Sequence, residues 1–275
     1  MAEMLWQYGS PEIGGASANK TQGFLKMAQA GIVLAGESNI GMVRRRNEDS
    51  YALVSVPGRR SAFAVISDGV GGHQDGDVAS NSCTMALLRA YLNCESSLDS
   101  PESVKDFFNS NITDINRRMF LQSQEKRLPQ PMACTVISGI FLPDHLIIAA
   151  AGDSRCYRFT RQKGLEQLSS DHVLTGDMLK KHGIVPNTNA YENTLLRAVG
   201  AKYHLEVDIR IFDRLPDARY LFCSDGLSHF VSDEKIAAAI AESHTPCETV
   251  DRLMRLALLA GGRDNATLIS AFPLP

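Results

Sequence analysis

Apolar positions fall along this chain in two modes. In one, short runs of four to nine residues are largely apolar or alternate apolar with polar positions. In the other, apolar residues recur every three or four positions over a longer stretch. The short runs, bounded by turn formers, read as buried strands. They lie at residues 31–35, 51–56, 62–67, 134–142, 146–151, 156–159, 165–168, 206–212, 220–224 and 266–271. The spacing predicts a helix over 76–93 with Val78, Met85, Leu88 and Leu92 on one face. A longer helix starts after Ser100, a capping residue, with Pro101 and Glu102 suited to its first turn. Val104, Phe108, Ile112, Ile115 and Met119 form its stripe, and Pro129 ends it. Two further helices are expected at 233–241 and 249–260.

Pro143-Asp144 makes a hairpin of the strands around it, and 156–159 and 165–168 are expected to continue the meander. A polar stretch at about 171–203 interrupts the strands and is long enough for a functional excursion. Residues 1–30 hold the breakers Gly9-Ser10-Pro11 and Gly14-Gly15 and, apart from a helical trace at 24–28, read as a flexible lead-in. Residues 31–275 read as one domain. Runs of strands broken by helix pairs favour an α+β fold, with two mainly antiparallel sheets face to face and helices outside.

Composition narrows the class. With 44% hydrophobic and 21% charged residues, the chain is ordinary for a globular protein. A net charge of -3 gives phosphate backbones nothing to attract, so no nucleic-acid partner is expected. None of the six cysteines forms a Cys-x-x-Cys pair, which fits free thiols in a reducing compartment. No apolar segment approaches the roughly 20 residues needed to span a bilayer, and the start lacks the form of a signal peptide. A cytoplasmic protein without membrane contact is the expectation.

Five acidic motifs carry the chemistry: Arg44-Arg45-Arg46-Asn47-Glu48-Asp49, Ser67-Asp68-Gly69, Gly152-Asp153-Ser154-Arg155, Ser224-Asp225-Gly226 and Arg263-Asp264-Asn265. Most adjoin strand-like runs. Carboxylates gathered at strand ends repel one another and lose water, so something positive must collect them. Hard divalent cations such as Mg²⁺ or Mn²⁺ select such oxygen clusters.

In this order the motifs resemble the protein phosphatase 2C family of metal-dependent Ser/Thr phosphatases, its bacterial branch most closely, over roughly residues 31 to 272. That resemblance implies a four-layer α/β/β/α sandwich with a binuclear metal site at one end. It implies that Asp68 bridges two Mn²⁺ or Mg²⁺ ions, Gly69 offers its carbonyl, and Asp225 and Asp264 complete the second ion's shell. Asp49 and Glu48 match the acidic pair that holds the site, directly or through water. Asp153 matches a residue associated with a third, weaker metal, and Arg44 the phosphate-binding arginine. A water between two such ions deprotonates near neutral pH and attacks in line. The 171–203 excursion matches a flap, with Asp171, His172 and Arg197 at its ends expected to influence substrate docking. Phosphorylated proteins, a cognate Ser/Thr kinase with its substrates and phosphothreonine-reading domains, and a monomeric state are the implied associations.

Two departures stand out. Val70 occupies the place of a histidine proposed elsewhere as general acid, and His73 reads as structural. Met132-Ala133-Cys134-Thr135 replaces the usual small-residue strand, which is expected to touch packing only. Cys83 and Arg89 have the spacing of a tyrosine-phosphatase loop, but helix formers lie between them. Rival readings are a catalytically degenerate phosphoprotein-binding domain and a two-metal hydrolase of small phosphate esters.

Overall fold

The computed structural model describes residues 6–9, 20–27, 30–56, 59–70, 75–94, 98–174 and 194–274. In chain order the elements are β1 (Trp6–Gly9), β2 (Lys20–Met27), β3 (Ile32–Asn39), β4 (Asp49–Ser55), β5 (Ala62–Val70), α1 (Gly76–Leu92) and α2 (Pro101–Glu125). There follow β6 (Ala133–Cys134), β7 (Val136–Phe141), β8 (His145–Ala151), β9 (Arg155–Thr160), β10 (Gly164–Gln167), β11 (Asp208–Asp213) and β12 (Arg219–Cys223). The chain closes with α3 (Asp225–Ser228), α4 (Asp233–Glu242), α5 (Pro246–Leu259) and β13 (Ala266–Pro273).

Every strand pairing among the described residues is antiparallel. One sheet runs β1-β4-β5-β7-β8-β11, with β6 hung on β5; the other runs β10-β9-β12-β13-β3-β2. Three apolar layers hold the stack together. Phe63, Val65 and Ile147 face Leu87, Tyr91 and Phe108 of α1 and α2. Tyr51, Ile66, Phe141, Phe222 and Ile269 fill the space between the sheets. Leu221 and Leu268 meet Ile236, Leu253 and Met254 of α4 and α5. The result is the α/β/β/α sandwich expected from the motifs.

Caps fix the helix starts. Ser100 Oγ accepts from the Ser103 amide at 3.1 Å while Ser103 Oγ accepts from the Ser100 amide at 3.3 Å, a reciprocal pair typically worth about 1 kcal/mol. Thr245 Oγ1 accepts from the Glu248 amide at 3.2 Å, so α5 begins at Pro246, three residues before the expected start.

Three further sequence expectations change. The buried face of α1 is Ala79, Ser80, Cys83, Thr84, Leu87, Leu88 and Tyr91, and Val78 is exposed; small residues let the helix lie close to β5. The meander stops at β8: β9 belongs to the other sheet and pairs with β12 and β10. Residues 20–27 form a strand on β3, not a helical turn, and β1 pairs with β4, so this N-terminal stretch adds an edge strand to each sheet. A short helix, α3, follows β12 directly. No helix among the described residues is long and apolar enough to cross a membrane. His73 and most of the 171–203 excursion lie outside the described residues.

Candidate metal centre

The register of β4 on β5 sets Asp49 directly opposite Asp68. Directly opposed residues share one face of a sheet, so two carboxylates meet at the end of neighbouring strands. Three turns complete the ring: Gly152-Asp153 after β8, Asp225 opening α3, and Asp264-Asn265 before β13. Between them is a cleft of about 350 Å³ lined by Arg44, Glu48, Asp68, Gly69, Val70, Thr135, Asp153, Thr194, Leu195, Asp225, Asp264 and Asn265.

Each acidic group is held from behind. The Asp68 amide donates to Thr135 Oγ1 at 3.1 Å, its carbonyl accepts from the Thr135 amide at 2.7 Å, and Thr135 Oγ1 lies 2.8 Å from Ser154 Oγ. Segment 132–135 therefore positions Asp68, where the sequence reading gave it packing alone. Asn265 Oδ1 accepts from the Glu48 amide at 2.8 Å, and its Nδ2 donates to the carbonyls of Ile40 and Arg46 at 2.9 Å each. One side chain thus ties the arginine loop to the Asp264 turn. At Gly69 a Cβ would stand 2.4 Å from the Gly76 carbonyl, and at Gly76 one would stand 3.0 Å from the Glu48 carboxylate. Only bare backbone lets α1 begin this close to the carboxylates.

Asp49 is buried and does not line the cleft. Its Oδ2 accepts from Ser224 Oγ at 2.8 Å and Thr267 Oγ1 at 2.6 Å, while its Oδ1 has no hydrogen-bond partner. Arg44 reaches the cleft and places Nη2 2.7 Å from Asp264 Oδ2. Arg45 and Arg46 are exposed, where water solvates their charges.

The carboxylates resist ionising together. Burial pushes Asp49 up to about 7, although the two hydroxyls oppose this. Burial raises Asp68 well above the carboxylate range, and the charges of Asp49, Asp225, Asp153 and Asp264 add to it. Burial also raises Asp225 and Glu48, and with the Asp225 charge it lifts Asp153 to about 6. Oxygen donors, mutual repulsion and the unsatisfied Asp49 Oδ1 are what a hard divalent cation would relieve. The residues fit such ions.

The sequence reading missed His229. It follows Asp225 by four residues across α3, and its Nδ1 lies 3.3 Å from Asp225 Oδ2. Asp153, Asp225 and His229 could each offer a ligand atom, all within 4.8 Å of one another. Asp-x-x-x-His was the available signal, since helical positions four apart share a face.

The described ends of the 171–203 excursion are held by side-chain contacts. Arg155 Nε and Nη2 donate to Asp171 at 3.0 and 2.6 Å. His172 Nδ1 accepts from the Gly152 amide at 3.2 Å, and Arg197 lies 2.6 Å from Glu206. None of Asp171, His172 and Arg197 lines the cleft; Thr194 and Leu195 do. Cys83 is buried in α1, which removes the thiol decoy.

Comparison with known proteins agrees with this geometry. The profile of the family described as Protein phosphatase 2C matches residues 36–260. Serine/threonine phosphatase stp of Listeria monocytogenes is 29% identical over 233 residues, spanning 83% of this chain and 91% of that protein. Serine/threonine protein phosphatase PstP of Mycobacterium tuberculosis is 31% identical over 254 residues, 89% of this chain and 46% of that one. A crystal structure of the catalytic domain of PstP in complex with two manganese ions superimposes with a TM-score of 0.71 at 28% identity, covering 89% of this chain and 99% of that one.

Proposed function

The chain belongs to the protein phosphatase 2C family, and from that premise we propose that its acidic cleft hydrolyses phosphoserine and phosphothreonine in proteins with Mn²⁺ or Mg²⁺ as cofactor. The observation that carries the reading is the cluster itself: Asp68, Asp225, Asp264 and Glu48 around one cleft, with a single arginine reaching in. Divalent cations bound there supply a water-derived nucleophile at neutral pH and charge stabilisation for the phosphoryl group.

The chain's own residues do the rest. Asp68, the Gly69 carbonyl, Asp225 and Asp264 would hold two ions. Glu48, at the cleft wall, and the buried Asp49 would support them directly or through water, and Asp153 would hold a third, weaker ion. Arg44 orients the phosphate, since a planar guanidinium can engage two of its oxygens. In the structure that guanidinium rests on Asp264, so it shares its donors between carboxylate and substrate. Val70 offers no proton to the departing alkoxide. The substrates would be those of a cognate Ser/Thr kinase, met by a monomer in the cytoplasm.

The test is phosphate release from a phosphothreonine peptide with and without Mn²⁺, beside a phosphotyrosine peptide. Metal-dependent release from the first alone is expected. Release that persists in chelator would sink the reading, and turnover of small esters without peptides would favour the small-ester hydrolase.

A further inference from the structure

Eight large apolar side chains are exposed among the described residues, and only Met42 and Val43 are neighbours in sequence. They are 73% and 64% exposed and stand immediately before Arg44. Single exposed apolar residues are ordinary on a protein surface; an adjacent pair beside the one arginine of a cleft is a different case.

The loop that carries them is fixed. Gly41 has φ +79°, and a Cβ there would stand 2.4 Å from the Asp264 carbonyl and 2.7 Å from that of Gly262. The Met42 amide donates to the Gly262 carbonyl at 2.7 Å. Asn265 holds the far side of the same loop through the Ile40 and Arg46 carbonyls. Both side chains are therefore offered to solvent by backbone that cannot fold them away, against the turn that carries Asp264.

We infer that Met42 and Val43 form the docking surface for an apolar residue of the phosphopeptide, one or two positions from the phosphorylated Ser or Thr. This rests on the phosphatase reading and extends it to substrate choice. Continuity with the cleft identifies the occupant. Met42 is two residues from Arg44, at most about 7 Å along the chain, and an extended peptide advances about 3.3 Å per residue. A phosphate held by Arg44 thus sets its near neighbours over Met42 and Val43. The loop continues into exposed Arg45 and Arg46, which disfavours lysine or arginine in those substrate positions, while the exposed apolar surface of Met42 and Val43 makes an apolar side chain its complement.

The experiment uses the full chain with Mn²⁺ and phosphothreonine peptides carrying either leucine or serine at each of the two positions on either side of the phosphorylated residue. An aryl phosphate serves as a reference substrate. At one or more positions kcat/KM is expected to favour leucine by about tenfold, the ratio for partly burying one such side chain. The double variant Met42→Ser with Val43→Ser is expected to bring that ratio close to one, mainly through KM, with an unchanged melting temperature. Turnover without any leucine preference, or a preference that survives the double variant, overturns the inference alone. No turnover of any peptide or of the aryl phosphate overturns the phosphatase reading and the inference with it.

Discussion

Asp68 and Asp225 line the same cleft, and the Asp225 charge helps to raise Asp68; two ionised carboxylates so placed repel unless a cation stands between them. Asp68→Asn keeps the volume and removes a charge, so it should abolish phosphate release while raising the melting temperature of chelator-treated protein. Phosphate assays and thermal melts on the same preparation check both halves; a variant that turns over normally would remove Asp68 from the centre. The arginines make a second comparison. Arg44 alone lines the cleft, so Arg44→Ala should lower kcat/KM by roughly ten- to a few-hundredfold. Arg45→Ala and Arg46→Ala should each do much less, and equal losses at all three would replace a phosphate clamp with a general basic surface. At this scale the sequence was informative because each carboxylate sits in a short motif. Thr135 and Asn265 were harder to interpret, since what they do depends on backbone groups of Asp68 and Glu48, which no local window contains.

Among elements, strands were legible wherever an apolar run lay between turn formers, as β5, β8 and β13 do. Three features were not. A strand that crosses to the other sheet reads locally like one that stays, so by sequence alone β9 prolongs the β7–β8 hairpin. Residues 20–27 mix lysine, glutamine and glycine with apolar side chains; their pairing is set by the open edge of β3. The α1 face was misread because its buried side includes Ala79, Ser80, Cys83 and Thr84, residues too small or too polar to stand out as a stripe. Close packing of this helix makes a prediction. Leu87→Ala leaves a cavity against the sheet and should cost about 2–5 kcal/mol, whereas Val78→Ala, on the exposed side, should stay within about 0.5 kcal/mol. Urea unfolding of both variants measures the difference. Comparable losses would put the buried face of α1 where the sequence spacing had set it.

For the molecule as a whole, the acidic cleft couples folding to pH. Asp49, raised to about 7, and Asp153, raised to about 6, stay protonated in the fold at pH values where the unfolded chain has already released those protons. Their contribution to stability is fully present below the unfolded carboxylate range, near pH 4, and is lost as pH rises through the folded values. Metal-free protein should therefore melt at progressively lower temperature from pH 5 to pH 8. Mn²⁺ acts in the opposite sense. It binds the ionised carboxylates of the folded state, so its affinity grows as protons leave. At a concentration about 100 times its dissociation constant, such a ligand adds about 2.7 kcal/mol. The rise in melting temperature on adding Mn²⁺ should then be small at pH 5 and largest at pH 8, so that the two curves diverge with pH. Thermal melts in chelator and in excess Mn²⁺ across that range decide the matter. Parallel curves would mean that the ions do not replace protons on these carboxylates. A metal-free melting temperature that climbed with pH would mean that the cluster is already neutralised by groups within the fold.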